Sequence, residues 1–138
     1  MKLIIQTLFF LHFIFLSCQE KKEVFVNFSN PELDYSGRVN FDNKEGAEFY
    51  WTGTSIKMNF EGENVSAILK DETGDNYYNV IIDNKLKAII QPDTIKKTYT
   101  LAYNLSKGKH TIELFRRNDW NRGKTQFYGF KINNNAKL

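Results

Sequence analysis

Polarity alternates residue by residue along Ser55-Ile56-Lys57-Met58-Asn59-Phe60 and again along Val65-Ser66-Ala67-Ile68-Leu69-Lys70. A side-chain period of two marks a half-buried β-strand, because successive Cβ atoms point to opposite faces of a sheet. Glu61-Gly62-Glu63-Asn64 separates the two runs, so a hairpin closed by a glycine-containing turn is expected here. Further strands are expected at 35–41, 48–51, 77–83, 86–91, 98–103, 109–116 and 126–133. Asp83-Asn84-Lys85 reads as a turn between two of them, since Asp and Asn tolerate positive φ. No stretch long enough for a helix sustains a 3.6-residue period. About nine short antiparallel strands with frequent turn signals predict an all-β fold, and two apolar faces without a barrel repeat favour a β-sandwich.

The amino terminus follows a different pattern. Met1-Lys2 is a short positive start, and residues 3–16 are apolar apart from Gln6, Thr7 and His12. That is the charged start and apolar middle of a secretory signal, expected as a signal helix. A transmembrane helix is the competing reading, but a span needs about 20 apolar residues, and Gln19-Glu20-Lys21-Lys22 follows at once. Cys18, in Phe15-Leu16-Ser17-Cys18-Gln19, resembles the lipidated cysteine of a bacterial lipoprotein signal, with Phe15 where Leu is usual. The alternative is a soluble secreted protein cut near Ser17. The expected organisation is a lipoprotein signal peptide over 1–17, a polar tether over 18–31 and the β-sandwich over 32–138. The protein is thus expected to be exported and lipid-anchored at Cys18, in the bacterial cell envelope, facing the periplasm or the surface. With one cysteine in the chain, an intramolecular disulfide is impossible.

Composition adds two constraints. Aromatic residues make up 15% of the 138 residues, including 12 Phe and 7 Tyr, and such side chains suit pleated sheets. A length of this order holds one domain. Nineteen basic against 16 acidic residues leave a formal charge of +3. A nucleic-acid partner is not expected from so small an excess.

Candidate chemistry is sparse. His110 is the only imidazole outside the signal, and alternation puts it on the apolar face of Lys109-His110-Thr111-Ile112-Glu113-Leu114. With no Ser or Cys motif beside it, it is expected to be a hydrogen-bonded structural histidine rather than a general base. One cysteine and one such histidine supply no transition-metal cluster. Asp71-Glu72-Thr73-Gly74-Asp75-Asn76 has oxygen ligands for calcium but lacks the length and closing Glu of a helix-loop-helix site, so a solvated hairpin loop is expected. Neither a metal nor another cofactor is expected. The remaining concentration is Arg116-Arg117-Asn118-Asp119-Trp120-Asn121-Arg122-Gly123, an inter-strand loop in which Trp120 has the surface to stack on a sugar ring. Arg116, Arg117 and Asp119 have the planar donors and acceptor to bind its hydroxyls. Trp51, in Phe49-Tyr50-Trp51-Thr52-Gly53, is a second candidate platform.

Five strings occur in order: Gly37-Arg38-Val39-Asn40-Phe41; Tyr50-Trp51-Thr52-Gly53-Thr54-Ser55-Ile56; Asn76-Tyr77-Tyr78-Asn79-Val80-Ile81-Ile82-Asp83; Gly108-Lys109-His110-Thr111-Ile112-Glu113-Leu114-Phe115-Arg116-Arg117; and Phe127-Tyr128-Gly129-Phe130. Together they resemble the N-terminal domain of carbohydrate-esterase family 2, the acetyl-xylan esterase-like proteins. The resemblance implies a jelly-roll-like β-sandwich followed by an SGNH-type hydrolase domain that removes acetyl groups from plant polysaccharides. No nucleophile motif Gly-Asp-Ser is present, and Gly74-Asp75-Asn76 lacks the serine. The expectation is therefore a non-catalytic accessory or carbohydrate-binding module, with a plant-type polysaccharide or a hydrolase domain as partner. The alternatives are the N-terminal piece of an esterase whose catalytic domain is missing, or an envelope scaffold that binds a protein.

Overall fold

A computed structural model of the chain describes residues 23–133. Eleven strands run as β1 (Glu23–Asn27), β2 (Leu33–Ser36), β3 (Val39–Asn40), β4 (Ala47–Phe49), β5 (Ser55–Glu61), β6 (Val65–Asp71), β7 (Tyr78–Ile82), β8 (Lys85–Ile90), β9 (Lys97–Ala102), β10 (Lys109–Arg116) and β11 (Thr125–Asn133). One sheet has the order β3-β4-β11-β6-β9, with β1 also on β11, and the other the order β2-β5-β10-β7-β8. All pairings are antiparallel. The inner faces meet in one apolar core that includes Phe49, Ile56, Met58, Leu69, Ile112, Leu114, Phe127 and Phe130. The expected all-β sandwich is the observed architecture. Among the described residues the only helical segment is a 3₁₀ turn, Trp120–Arg122. The expected signal helix and Cys18 lie outside the described residues.

Three expectations about elements change. The runs at 55–60 and 65–70 are strands, but not a hairpin: β5 pairs with β2 and β10, whereas β6 pairs with β9 and β11. Alternation reports that one face is buried and is silent on which sheet buries it. The strand expected at 35–41 divides at Gly37 into β2 and β3, which join different sheets. Gly37 has φ +88, and a Cβ there would come within 3.0 Å of the Thr54 Cα. Residues 23–27, placed in the tether, instead form β1, and Val26 of this strand is buried in the core. The turn at 83–84 is as expected, with φ of 51 at Asp83 and 62 at Asn84.

β11 organises its sheet. Its first residues pair with β4, its last with β1, and β6 runs along the other side. A bulge between Phe127 and Gly129 re-aims the strand between these partners. Because neighbouring strands alternate in direction, the loops after β2, β4, β6, β8 and β10 emerge at one end of the sandwich. The loop expected to carry recognition is among them.

Candidate functional site

At that end, residues far apart in sequence converge. The Trp51 and Trp120 rings lie with their centres 6.2 Å apart and their planes tilted by 40°. They remain 40% and 62% exposed, so this is a surface aromatic pair, not a core contact. The Arg38 guanidinium lies 4.4 Å from the Trp51 ring centre, a cation–π contact. Trp51 is thus flanked by two neighbours, and Trp120 is the more open ring. The Thr52 hydroxyl donates to Asp119 Oδ1 over 2.6 Å, tying the two tryptophan loops together.

Arg116 does not reach this surface. It is fully buried, because β10 ends by turning its last side chain inward beneath the loop. Its Nη1 donates to Phe49 O (3.0 Å), Thr125 Oγ1 (3.2 Å) and Tyr78 OH (3.4 Å). Its Nη2 donates to Gly123 O (2.7 Å) and Asp119 O (3.4 Å), and its Nε to Asn118 O (3.2 Å). Three of these acceptors are main-chain oxygens of the Trp120 loop, so one planar fork holds the loop from below. The sequence reading offered Arg116 to a ligand; burial makes it a post under the platform.

A buried carboxylate balances the charge. The Thr125 hydroxyl, which receives Arg116, donates to Asp71 Oδ2. Asp71 also accepts from Asn76 Nδ2 (2.9 Å) and, at Oδ1, from the Thr73 (3.1 Å) and Gly74 (2.7 Å) amides. Its oxygens therefore shape the 71–76 loop, which passes between the two sheets and is no hairpin. Asn76 Nδ2 and the Thr73 hydroxyl reach on to Arg122 O, at 3.0 and 2.8 Å, and clamp the Trp120 loop from its other side. Burial pushes the Tyr78 phenol up, keeping it neutral within the network.

Arg117 and Asp119 are exposed. Arg117 Nη1 donates to Asn79 Oδ1 over 3.3 Å, and its amide to Tyr77 O over 3.0 Å. Of the predicted residues, Trp51, Asp119 and Trp120 come together, Arg117 lies on the flank and Arg116 beneath. Arg38 and Thr52 were missed. Arg38 lies 13 positions from the ring it covers, and no local pattern links the two.

His110 lies at the opposite end. It is buried, with Nδ1 2.8 Å from Asp83 Oδ2 and Nε2 2.8 Å from Ser106 O. Two acceptors favour the imidazolium: the Ser106 carbonyl first and the Asp83 carboxylate second raise its pKa. Burial alone would push Asp83 up, but the Thr111 amide and His110 hold it below the ordinary carboxylate range. An open cavity of ≈ 310 Å³ adjoins the pair, lined by Asn59, Phe60, Glu61 and Lys109 among others. Neither ring nitrogen is free to activate a nucleophile.

Comparison with known proteins agrees with the fold. Residues 35–138 match the family model for the carbohydrate esterase 2 N-terminal domain. Cellulase/esterase CelE of Acetivibrio thermocellus is 28% identical over 109 residues, or 79% of this chain. An acetylxylan esterase / glucomannan deacetylase of Cellvibrio japonicus is 25% identical over 91 residues, or 66% of this chain. The chain spans only 13% and 25% of the length of these two relatives. A family two carbohydrate esterase from Clostridium thermocellum, solved in complex with cellohexaose, superposes with a TM-score of 0.72 at 28% identity, over 77% of this chain and 32% of that one. The family-model match over residues 35–138, with the superposed fold, leads to one assignment: the chain belongs to the carbohydrate esterase 2 N-terminal family.

Proposed function

We propose that this domain is a non-catalytic carbohydrate-binding module of an exported lipoprotein, serving polysaccharide deacetylation carried out by another domain or protein. The exposed Trp51–Trp120 pair on a loop braced by Arg116 carries the reading. An apolar ring held rigidly in water costs little further entropy when a sugar face covers it. Trp120 is the stacking platform, with Trp51 and Arg38 as its backing. Membership of an esterase-associated family supports a carbohydrate context. Cys18 is the proposed lipid anchor, on the strength of Leu16-Ser17-Cys18 after the apolar stretch.

Affinity electrophoresis on a panel of plant glycans, neutral (unsubstituted xylan, glucomannan, hydroxyethylcellulose) and acidic (4-O-methylglucuronoxylan), tests the site. Retardation on at least one, reduced about tenfold by Trp120→Ala, is the expected result, corresponding to the roughly 1–3 kcal/mol of an aromatic stacking contact. A native protein that migrates unretarded on the whole panel defeats the proposal.

A second reading, the N-terminal part of an esterase, is favoured by the small share of each relative that the chain spans. Docking onto a hydrolase domain would then be the partner interaction. Stable co-purification with a separately expressed SGNH-type domain encoded beside it supports that reading, and independent elution at micromolar concentration opposes it.

A further inference from the structure

All four arginines of the chain, Arg38, Arg116, Arg117 and Arg122, belong to the tryptophan end of the sandwich, whereas lysines are spread along the sequence. Arg116 is spent as the buried post. The other three are exposed, and among the described residues none has a carboxylate within salt-bridge distance. Of the eleven lysines among the described residues, four (Lys57, Lys97, Lys124 and Lys131) pair with an acid. The acids near the loop are partly engaged, Asp119 Oδ1 by the Thr52 hydroxyl and Glu72 Oε2 by the Lys124 amide, while Asp75 is exposed. Three exposed guanidinium groups without a carboxylate partner therefore lie on the loops of the end that carries the open Trp120.

Guanidinium presents paired donors that match a carboxylate bidentately, which the point charge of a lysine does not. A wholly neutral sugar gains little from such a group beyond single hydrogen bonds. From this placement we infer that the site takes an acidic glycan: Trp120 stacks on a sugar ring, and Arg117, Arg122 and Arg38 pair with carboxylates of uronic acid units on the same chain. The inference deepens the proposed function and rests on Trp120 being a sugar platform. Stacking rings and arginines would also suit single-stranded nucleic acid. The small net charge of +3 favours the glycan.

The test compares one polymer in two forms, 4-O-methylglucuronoxylan and the same sample after chemical reduction of its carboxyl groups, by isothermal titration at low salt, with oligothymidylate as a third probe. The charged form is expected to bind about tenfold more tightly than the reduced form, and the advantage shrinks as sodium chloride is raised. The Arg117→Gln/Arg122→Gln double variant is expected to bring the ratio of the two affinities several-fold closer to one, since each exposed ion pair contributes about a 1.5- to 5-fold factor. Equal affinity for both forms overturns the carboxylate inference while leaving the stacking reading in place. Binding to neither form overturns both. Tighter binding of oligothymidylate than of glucuronoxylan overturns the glycan in favour of nucleic acid.

Discussion

Arg116 and His110 are both buried basic side chains, and they do different things. Arg116 makes six hydrogen bonds from one guanidinium and reaches Asp71 through the Thr125 hydroxyl. Removing it leaves Asp71 without its counter-charge and three loop carbonyls without a donor. Arg116→Met is expected to lower unfolding stability by about 3–5 kcal/mol, because several buried acceptors lose their charged donor at once. Urea denaturation measures this, and a loss below about 1 kcal/mol would show that the network is ornamental. Arg116→Lys should recover little, because an ammonium cannot span the fork. The charge of Arg116 is fixed, whereas that of His110 is set by pH. The folded imidazole has its pKa raised by Ser106 O and Asp83, so its contribution is complete below the unfolded value of about 6.5 and is lost as pH climbs through the higher folded value. Asp83 acts in the opposite direction: its lowered pKa adds stability above about 3.9, lost as pH falls through the folded value. The urea midpoint should therefore decline as pH rises above about 6.5, and His110→Gln should flatten that decline. A native midpoint that rises over the same interval contradicts this.

Among the elements, β11 carries the widest responsibility. Its bulge depends on Gly129, at φ +152, where a Cβ would stand 2.3 Å from Val26 O and 2.7 Å from the Phe25 ring. Adding one methyl group forces β1 off β11 or opens the bulge. Gly129→Ala is expected to cost about 2 kcal/mol or more, at the upper end of overpacking losses. Gly108→Ala is the control: Gly108 also has positive φ, 132, yet nothing lies within 4 Å of the added carbon. Thermal unfolding should show a clearly larger loss for Gly129→Ala, and equal losses would mean that backbone conformation, not the close approach, sets the cost. Strand identity was legible from alternation alone in 55–60, 65–70 and 109–116. β1 was not, because Glu23-Val24-Phe25-Val26-Asn27 follows a charged run and only Val26 is fully buried.

At the scale of the molecule, two sheets of small antiparallel strands form a rigid body that presents five loops at one end. The residues with chemical potential divide between the ends, the tryptophans and arginines at one and His110 at the other. Among the described residues no hydroxyl or thiol nucleophile pairs with His110, whose Nε2 meets a main-chain carbonyl. The 138-residue chain is therefore expected to hydrolyse 4-nitrophenyl acetate no faster than buffer, because an acyl intermediate needs an activated nucleophile. A rate above buffer that disappears in His110→Gln would restore a catalytic role.

The sequence alone specifies an all-β fold, since an alternation of period two leaves each strand one face to bury, and the two sheets show that these faces close as a sandwich rather than as a barrel. It also determined that the β10–β11 loop is chemically unusual, because Trp120 and its arginines are neighbours in the chain. The division of labour within that loop comes from the folding of the strands around it. Arg116 and Arg117 are adjacent and chemically identical, yet the pleat turns one inward to fan across six acceptors and the other out to solvent. Likewise, Trp51 reaches Trp120 and Arg38 reaches Trp51 through loops from different strands, a proximity set by sheet order and loop direction rather than by spacing along the chain.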